Sequence, residues 1–166
     1  MRSGIGYYAV QMGALKLGAV VVVNSLGDIY SVSTGKKIAG LLNKERTAFA
    51  DSVAELYRIA KPQDLFTRTN TVIGAIITNG KFDKAELTRI AGQTRNAYAR
   101  AINPVGTLAD GDTVYAVSCG EPVTADINMT GTLAAEVMAK AIENAVVAAK
   151  MDDAEYLRHC LSLPSR

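Results

Sequence analysis

The residues with chemistry in them stand where polar side chains meet apolar runs. In "RTNTVIGAIITNG", residues 68–80, Asn70 and Thr71 come directly before Val72, Ile73, Ala75, Ile76 and Ile77, which read as a buried strand. A hydroxyl at the mouth of such a strand reads in two ways: as an ordinary β-branched strand residue, or as a nucleophile held on a rigid element. Asn24 closes the run Val20–Val23 and is either a turn residue or a polar group at a site. Asp110 and Asp112 bracket Gly111 just before a third apolar run. "DGD" is a common surface turn, with Asx-turn and positive-φ geometry, and equally a pair of carboxylates at a strand mouth. Taken singly, each of these positions fits a structural role.

Other chemistries are poorly supplied. The chain has one histidine, His159, which excludes a multi-histidine metal site. A Ser-His-Asp arrangement would depend on that residue, which lies close to a polar C-terminus and reads as surface. A phosphate-binding loop needs its glycines at a strand-to-helix turn. "GIGYYAV" leads into a strand instead, and G-x-x-x-x-G-K-[ST] is absent. Neither metal nor cofactor is expected. Cys119 has no histidine near it in sequence and reads as a core thiol. With Cys160 it makes two cysteines, too few for a disulfide framework and consistent with a reducing compartment.

The elements that must position these residues follow from periodicity. The chain has 166 residues, 49% hydrophobic and 20% charged, at net charge +2. That is the length of one domain and an ordinary soluble composition, with no argument for nucleic acid or an anionic surface. "LKLGAVVVVN" is too short to span a bilayer, and the N-terminus lacks a signal-peptide layout. A cytoplasmic protein, with neither nucleic acid nor membrane as partner, is expected. Ile5–Met12 and Leu15–Asn24 read as strands joined in a hairpin at Gly13-Ala14. Four consecutive valines imply that the second strand is covered on both faces. A helix is expected over Lys44–Ala60, stopped by Lys61-Pro62, then a loop and the strand 71–78. Asp83 and Glu86 form a capping-box start for one helix over 83–102. Loop 104–112, strand 113–119 and loop 121–131 follow. An Ala-rich helix over Thr132–Lys150 and a short helix at 152–162 complete the chain. Too many helices for a doubly wound sheet make an α+β layered sandwich the better fit.

Taken together, the motifs resemble a known family. "TNTVIGAIITNGKFDKAEL" followed by "ARAINPVGTLADGDTVYAV" is similar to the L-aminopeptidase/D-esterase family, which includes β-peptidyl aminopeptidases and the nylon-oligomer hydrolase. "SGIGYYAVQ…LKLGAVVVVNSLGDIYSVSTGKKIAG" is similar to that family's G-x-G…GA-x-V-x-V-N-x-x-G-D pattern, and the likeness runs over nearly all of residues 3–149. It implies an α-β-β-α sandwich of N-terminal-nucleophile type and a precursor that cuts itself at Asn70–Thr71. Residues 1–70 would then end the α chain, and 71–166 would form the β chain. Asn24 would match the asparagine that supplies an oxyanion-hole amide. Asp110 and Asp112 would match the pair that orients the nucleophile and its amine.

The physical logic of that mechanism stands independently. A threonine hydroxyl is a poor nucleophile until a base takes its proton. A free α-amine, with an unperturbed pKa near 7.7–8.0, sits on the same residue within reach. General-base help of this kind is worth roughly 10²–10⁴ in rate.

The resemblance also exposes departures. Its members are about twice this length, and their N-terminal half carries further strands, helices and a catalytic Lys or Tyr. The chain therefore reads as one incomplete domain, 1–166, that requires an N-terminal half or self-association into a homo-oligomer. Gly106 stands where many members have His, and Val72 where a second Thr is common. The implied activity is hydrolysis of a peptide or amino-acid amide by an N-terminal threonine. The rivals are a non-catalytic assembly fragment and, with less support, a glutamate N-acetyltransferase-like acyl transferase.

Overall fold

A computed structural model describes residues 4–59, 70–152, 154–156 and 158. The fold is α+β. Its main sheet has four strands, β1 (Gly4–Met12), β2 (Leu15–Asn24), β5 (Thr71–Gly80) and β7 (Thr113–Val123), in the order β1-β2-β5-β7. A smaller sheet has the order β4-β3-β6, from β3 (Asp28–Tyr30), β4 (Lys37–Ala39) and β6 (Ile102–Asn103). β1 and β2 pair antiparallel through a turn whose first residue, Gly13, has φ +59°, the requirement of a type II′ hairpin.

The helices α2 (Lys84–Thr94), α3 (Asn96–Ala101) and α4 (Ile127–Ala148) form one layer with α4 against β1 and β2. The core lies between them: Leu17, Val21, Val23, Val72 and Ile76 meet Met138, Ala141, Ile142 and Ala145. Gly4 and Gly6 of the "GIG" motif allow this approach. A Cβ on Gly6 would lie 2.0 Å from the Ala141 carbonyl oxygen, so only glycine fits there.

The opposite face of the main sheet is open. Ile5 pairs with Val22 and Val22 with Ile73, while Tyr7 pairs with Val20, and Ile77 with Val117. All of these side chains are exposed, as is Tyr115. The expectation that β2 is covered on both faces is corrected: within this chain its valines alternate between core and open surface. The same alternation puts Cys119 on the surface, so it is no core thiol.

Further boundaries differ from expectation. Helix α1 is only Ser52–Arg58, because Asp51 caps it by accepting from Val53 and Ala54, while Asn43 holds the preceding residues in a turn. The helix expected over 83–102 breaks at Arg95, although the Asp83–Glu86 capping box is present. β7 continues to Val123, and α4 starts at Ile127 rather than Thr132, with Asp126 as its N-cap. Gly131 inside α4 faces Gln93 of α2, whose side-chain amide would have to move for a Cβ to fit. The short helix expected at 152–162 lies largely outside the described residues, as do His159 and Cys160.

Candidate functional site

Topology decides where the polar residues meet. β2 runs antiparallel to β5, and β7 runs parallel to it. The C-terminal end of β2 and the N-terminal ends of β5 and β7 therefore share one edge of the sheet. Asn24 ends β2, and its cross-strand partner is Thr71, the first residue of β5. Asn70 forms a parallel bridge with Asp110. The structure thus brings Asn24, Asn70, Thr71, Asp110 and Asp112 to a single edge, with Asn24 and Thr71 in register with the open-face residues Val22 and Ile73.

Thr71 is half-buried, and its Oγ1 donates to the carbonyl oxygen of Asn70 at 2.6 Å. That carbonyl accepts a second hydrogen bond, from the backbone N–H of Gly111 at 3.0 Å. The Asn70 N–H donates to the Ala109 carbonyl at 3.3 Å. Asn70 is therefore held through both its N–H and its carbonyl by the 109–111 loop, with the Thr71 hydroxyl beside that carbonyl.

The two acids of "DGD" do different things. Asp110 Oδ2 accepts from the Thr107 N–H at 2.9 Å and from the Thr107 hydroxyl at 2.8 Å, so this carboxylate closes its own turn. Asp112 Oδ1 accepts from the Val72 N–H at 2.8 Å, on the residue after the hydroxyl. Asp112 Oδ2 is buried and has no hydrogen-bond partner. Burial pushes the Asp112 carboxyl above the ordinary aspartate value, and the charge of Asp110 adds to this. The N–H groups of Val72 and Gly106 and the Arg95 charge oppose it incompletely. Below lies Tyr98, whose hydroxyl donates to the Thr113 carbonyl at 3.1 Å. Burial, then the Asp112 charge, pushes its phenol well above the usual tyrosine value.

The turn reading of "DGD" fails at its centre. Gly111 is not among the glycines with positive φ, so it is not glycine for left-handed geometry. It is glycine for room, since a Cβ there would lie 2.9 Å from Thr71 Oγ1. Sequence reasoning missed the Gly111 N–H, the Thr107 clasp and Tyr98. The one signal available was a glycine between two acids at a position that does not need a turn.

Among the described residues no group of three or more His, Cys, Asp or Glu is arranged to hold a metal ion, and no helix is long and apolar enough to cross a membrane. A trough of about 990 Å³ lies at the other end of the sheet, lined in part by Lys16, Asn79, Cys119 and Glu121. It contains none of Asn24, Asn70, Thr71, Asp110 and Asp112.

The chain is similar to known proteins over most of its length. Peptidase family S58 matches residues 1–156. An uncharacterized aminopeptidase of Mycobacterium leprae is 30% identical over 165 residues, covering 90% of this chain and 46% of that protein. A 6-aminohexanoate-oligomer endohydrolase of Agromyces is 30% identical over 163 residues, covering 84% of this chain and 43% of that protein. Among solved structures, the L-aminopeptidase D-Ala-esterase/amidase of Ochrobactrum anthropi, described as a variant of the Ntn-hydrolase fold, superimposes with a TM-score of 0.54 at 17% identity. The match covers 89% of this chain and 40% of that one. A Burkholderia β-aminopeptidase superimposes with a TM-score of 0.51 at 19% identity, covering all of this chain and 51% of that one. The chain spans about half the length of these relatives.

Proposed function

Since the chain belongs to peptidase family S58, we propose that it is the nucleophile-bearing part of a self-processing amide hydrolase, with Thr71 as the nucleophile. One observation carries this reading: the Thr71 hydroxyl sits 2.6 Å from the carbonyl oxygen of the residue before it. Attack on the Asn70 carbonyl converts the peptide bond to an ester. Water opens the ester, and a chain starting at Thr71 is released with a free α-amine. That amine is then the base for the Thr71 hydroxyl in attack on a substrate amide. Asn24, across the strand from Thr71, supplies an amide toward the substrate oxyanion, a contribution of about 3–4 kcal/mol where geometry is good. Asp112 orients the start of β5 through Val72, and Asp110 holds the loop that carries Asp112.

The substrate class is a peptide or amino-acid amide, as the names of the aminopeptidase and oligomer-hydrolase relatives suggest. Turnover requires a covering layer on the open sheet face, from an N-terminal half or from further copies of the chain. That same face favours the second reading, a non-catalytic subunit whose role is assembly. Intact mass and N-terminal sequencing separate the two. Fragments meeting at Asn70–Thr71, absent in Thr71→Ala and retained in Thr71→Ser, support the hydrolase. A single uncut chain, or the same break in Thr71→Ala, rejects Thr71 as the agent.

A further inference from the structure

We infer that the backbone N–H of Gly111 is the oxyanion donor of the self-cleavage step, distinct from the Asn24 amide that serves the substrate. This deepens the reading above and rests on it. The Gly111 N–H is 3.0 Å from the Asn70 carbonyl oxygen, the atom on which negative charge develops when Thr71 Oγ1 attacks. It therefore aims at the reacting atom before any reaction begins.

The donor is also fixed in place. On one side of Gly111, Asp110 is clasped by the N–H and hydroxyl of Thr107. On the other, Asp112 is tied to the Val72 N–H. Asn70 itself is held by its own N–H on the Ala109 carbonyl. A donor restrained on both flanks does not reorganise as charge builds, which is where such groups gain their effect. Glycine has a local reason too: any side chain would press on Thr71 Oγ1. The "DGD" motif is thus a frame in which two anchored acids present one backbone N–H to the scissile carbonyl.

The step balances within the chain. Thr71 Oγ1 forms a bond to the Asn70 carbonyl carbon, and the oxyanion is held by Gly111. The C–N bond then breaks, and the hydroxyl proton ends on the Thr71 nitrogen. The product is an Asn70–Thr71 ester with a free amine. Water hydrolyses the ester to an Asn70 carboxylate and restores the hydroxyl.

Replacing Gly111 by glycolic acid through in vitro translation changes the 110–111 amide to an ester. This removes the N–H and adds no volume. The same exchange at Leu108, an exposed loop residue, uses leucic acid and controls for ester chemistry. Each chain, alone and with the N-terminal half of a family member, is followed by mass spectrometry with and without hydroxylamine, which captures the Asn70–Thr71 ester. The ester at 111 is expected to slow that capture by at least about tenfold, with an unchanged circular dichroism spectrum, while the ester at 108 leaves it unchanged. In the uncut Thr71→Ala background, the infrared stretch of a ¹³C-labelled Asn70 carbonyl should rise in frequency with the ester at 111. This readout does not depend on cleavage. Equal capture rates, or an unmoved carbonyl stretch, overturn the inference and leave Thr71 processing intact. A wild-type chain that never cuts at Asn70–Thr71 overturns the processing reading and this inference with it.

Discussion

The open sheet face should make the chain self-associate, and the structure gives the scale. Ile5, Tyr7, Val20, Val22, Ile73, Ile77, Tyr115 and Val117 form one face, each between 41% and 73% exposed. Fully burying such a side chain contributes about 1.5–3 kcal/mol. At roughly half exposure the eight together offer about 6–12 kcal/mol on being covered. Association costs an estimated 4–15 kcal/mol in lost freedom and ordering. The two ranges overlap, so an ill-fitting contact between copies holds weakly and a complementary apolar layer holds well. Sedimentation velocity at tens of micromolar should show dimers or larger species that dissociate on dilution. Tyr7→Lys with Val20→Glu places opposite charges on a cross-strand pair of the face and should return a monomer. Co-expression with the N-terminal half of a family member should suppress self-association without substitutions. A compact wild-type monomer near 17.6 kDa across that concentration range would refute the argument, because the exposed face would then have no need of a partner.

Three further outcomes follow from the geometry. Asp112→Asn should lower processing, or turnover of an amino-acid p-nitroanilide, by at least about tenfold, or about 1.4 kcal/mol in the barrier. Because burial raises the wild-type carboxyl, the folded state binds a proton more tightly than the unfolded one, and wild-type stability falls as pH rises from the ordinary aspartate range through the folded pKa. The Asn variant should lack that fall in its thermal-melt profile and be no less stable at neutral pH. Asp28 is 1% exposed and accepts from Lys37 Nζ at 2.6 Å, from Ser52 at 2.7 and 3.0 Å, and from the Leu41 N–H at 2.8 Å. Asp28→Asn should therefore cost about 3 kcal/mol by urea unfolding, at the low end for a buried pair because Lys37 keeps some solvent. Burial alone would raise the Asp28 carboxyl, yet Lys37, Ser52 and Leu41 hold it below the ordinary range, so its stabilisation should be present above that range and disappear as pH falls through the depressed value. Gly6→Ala should cost about 2–3 kcal/mol, since the added carbon meets the α4 backbone and not a side chain that can turn away; an unchanged urea midpoint would contradict the packing account.

Much of the frame was legible because it rests on local rules. The hairpin at Gly13, the strand after Thr71 and the capping box at Asp83 and Glu86 each need only a few neighbouring residues to specify them. Failures came where long-range packing decides. Gly131 inside α4 faces Gln93 of α2, a contact that no periodicity reports. Helix α1 was drawn too long because apolar spacing cannot see that Asn43 has already committed Thr47 and Ala48 to a turn. The sequence reads Cys119 as a core thiol because an alternating strand does not say which face is covered. Asn24, Asn70, Thr71, Asp110 and Asp112 could be singled out from residue type and position beside strand ends. The role of Gly111 could not, since a backbone N–H leaves no mark in a sequence beyond the absence of a side chain.

On the proposed reading, a strand that begins at its own cleavage point has a structural advantage. β5 pairs along Thr71–Thr78 with β2 and along most of the same residues with β7. Breaking the chain between Asn70 and Thr71 removes none of that ladder. It releases the isolated Asn70–Asp110 bridge with its two backbone hydrogen bonds, and the hydrogen bond from the Thr71 hydroxyl to the Asn70 carbonyl. The Val72 N–H remains on Asp112 at 2.8 Å, so the new terminus is tethered one residue inside the break. A free terminus would ordinarily fray, and ordering even one residue costs about 1–2 kcal/mol. Here the cost is already met in the uncut chain, by the pairing of Thr71 with Asn24 of β2 and by a carboxylate on the second residue. The α-amine that the proposed cleavage would generate would start fixed beside its own hydroxyl, the condition under which an amine serves as that hydroxyl's base. In the uncut chain Asp112 contacts the Val72 N–H, and a carboxylate held directly on the free amine would instead favour the protonated form that cannot accept a proton.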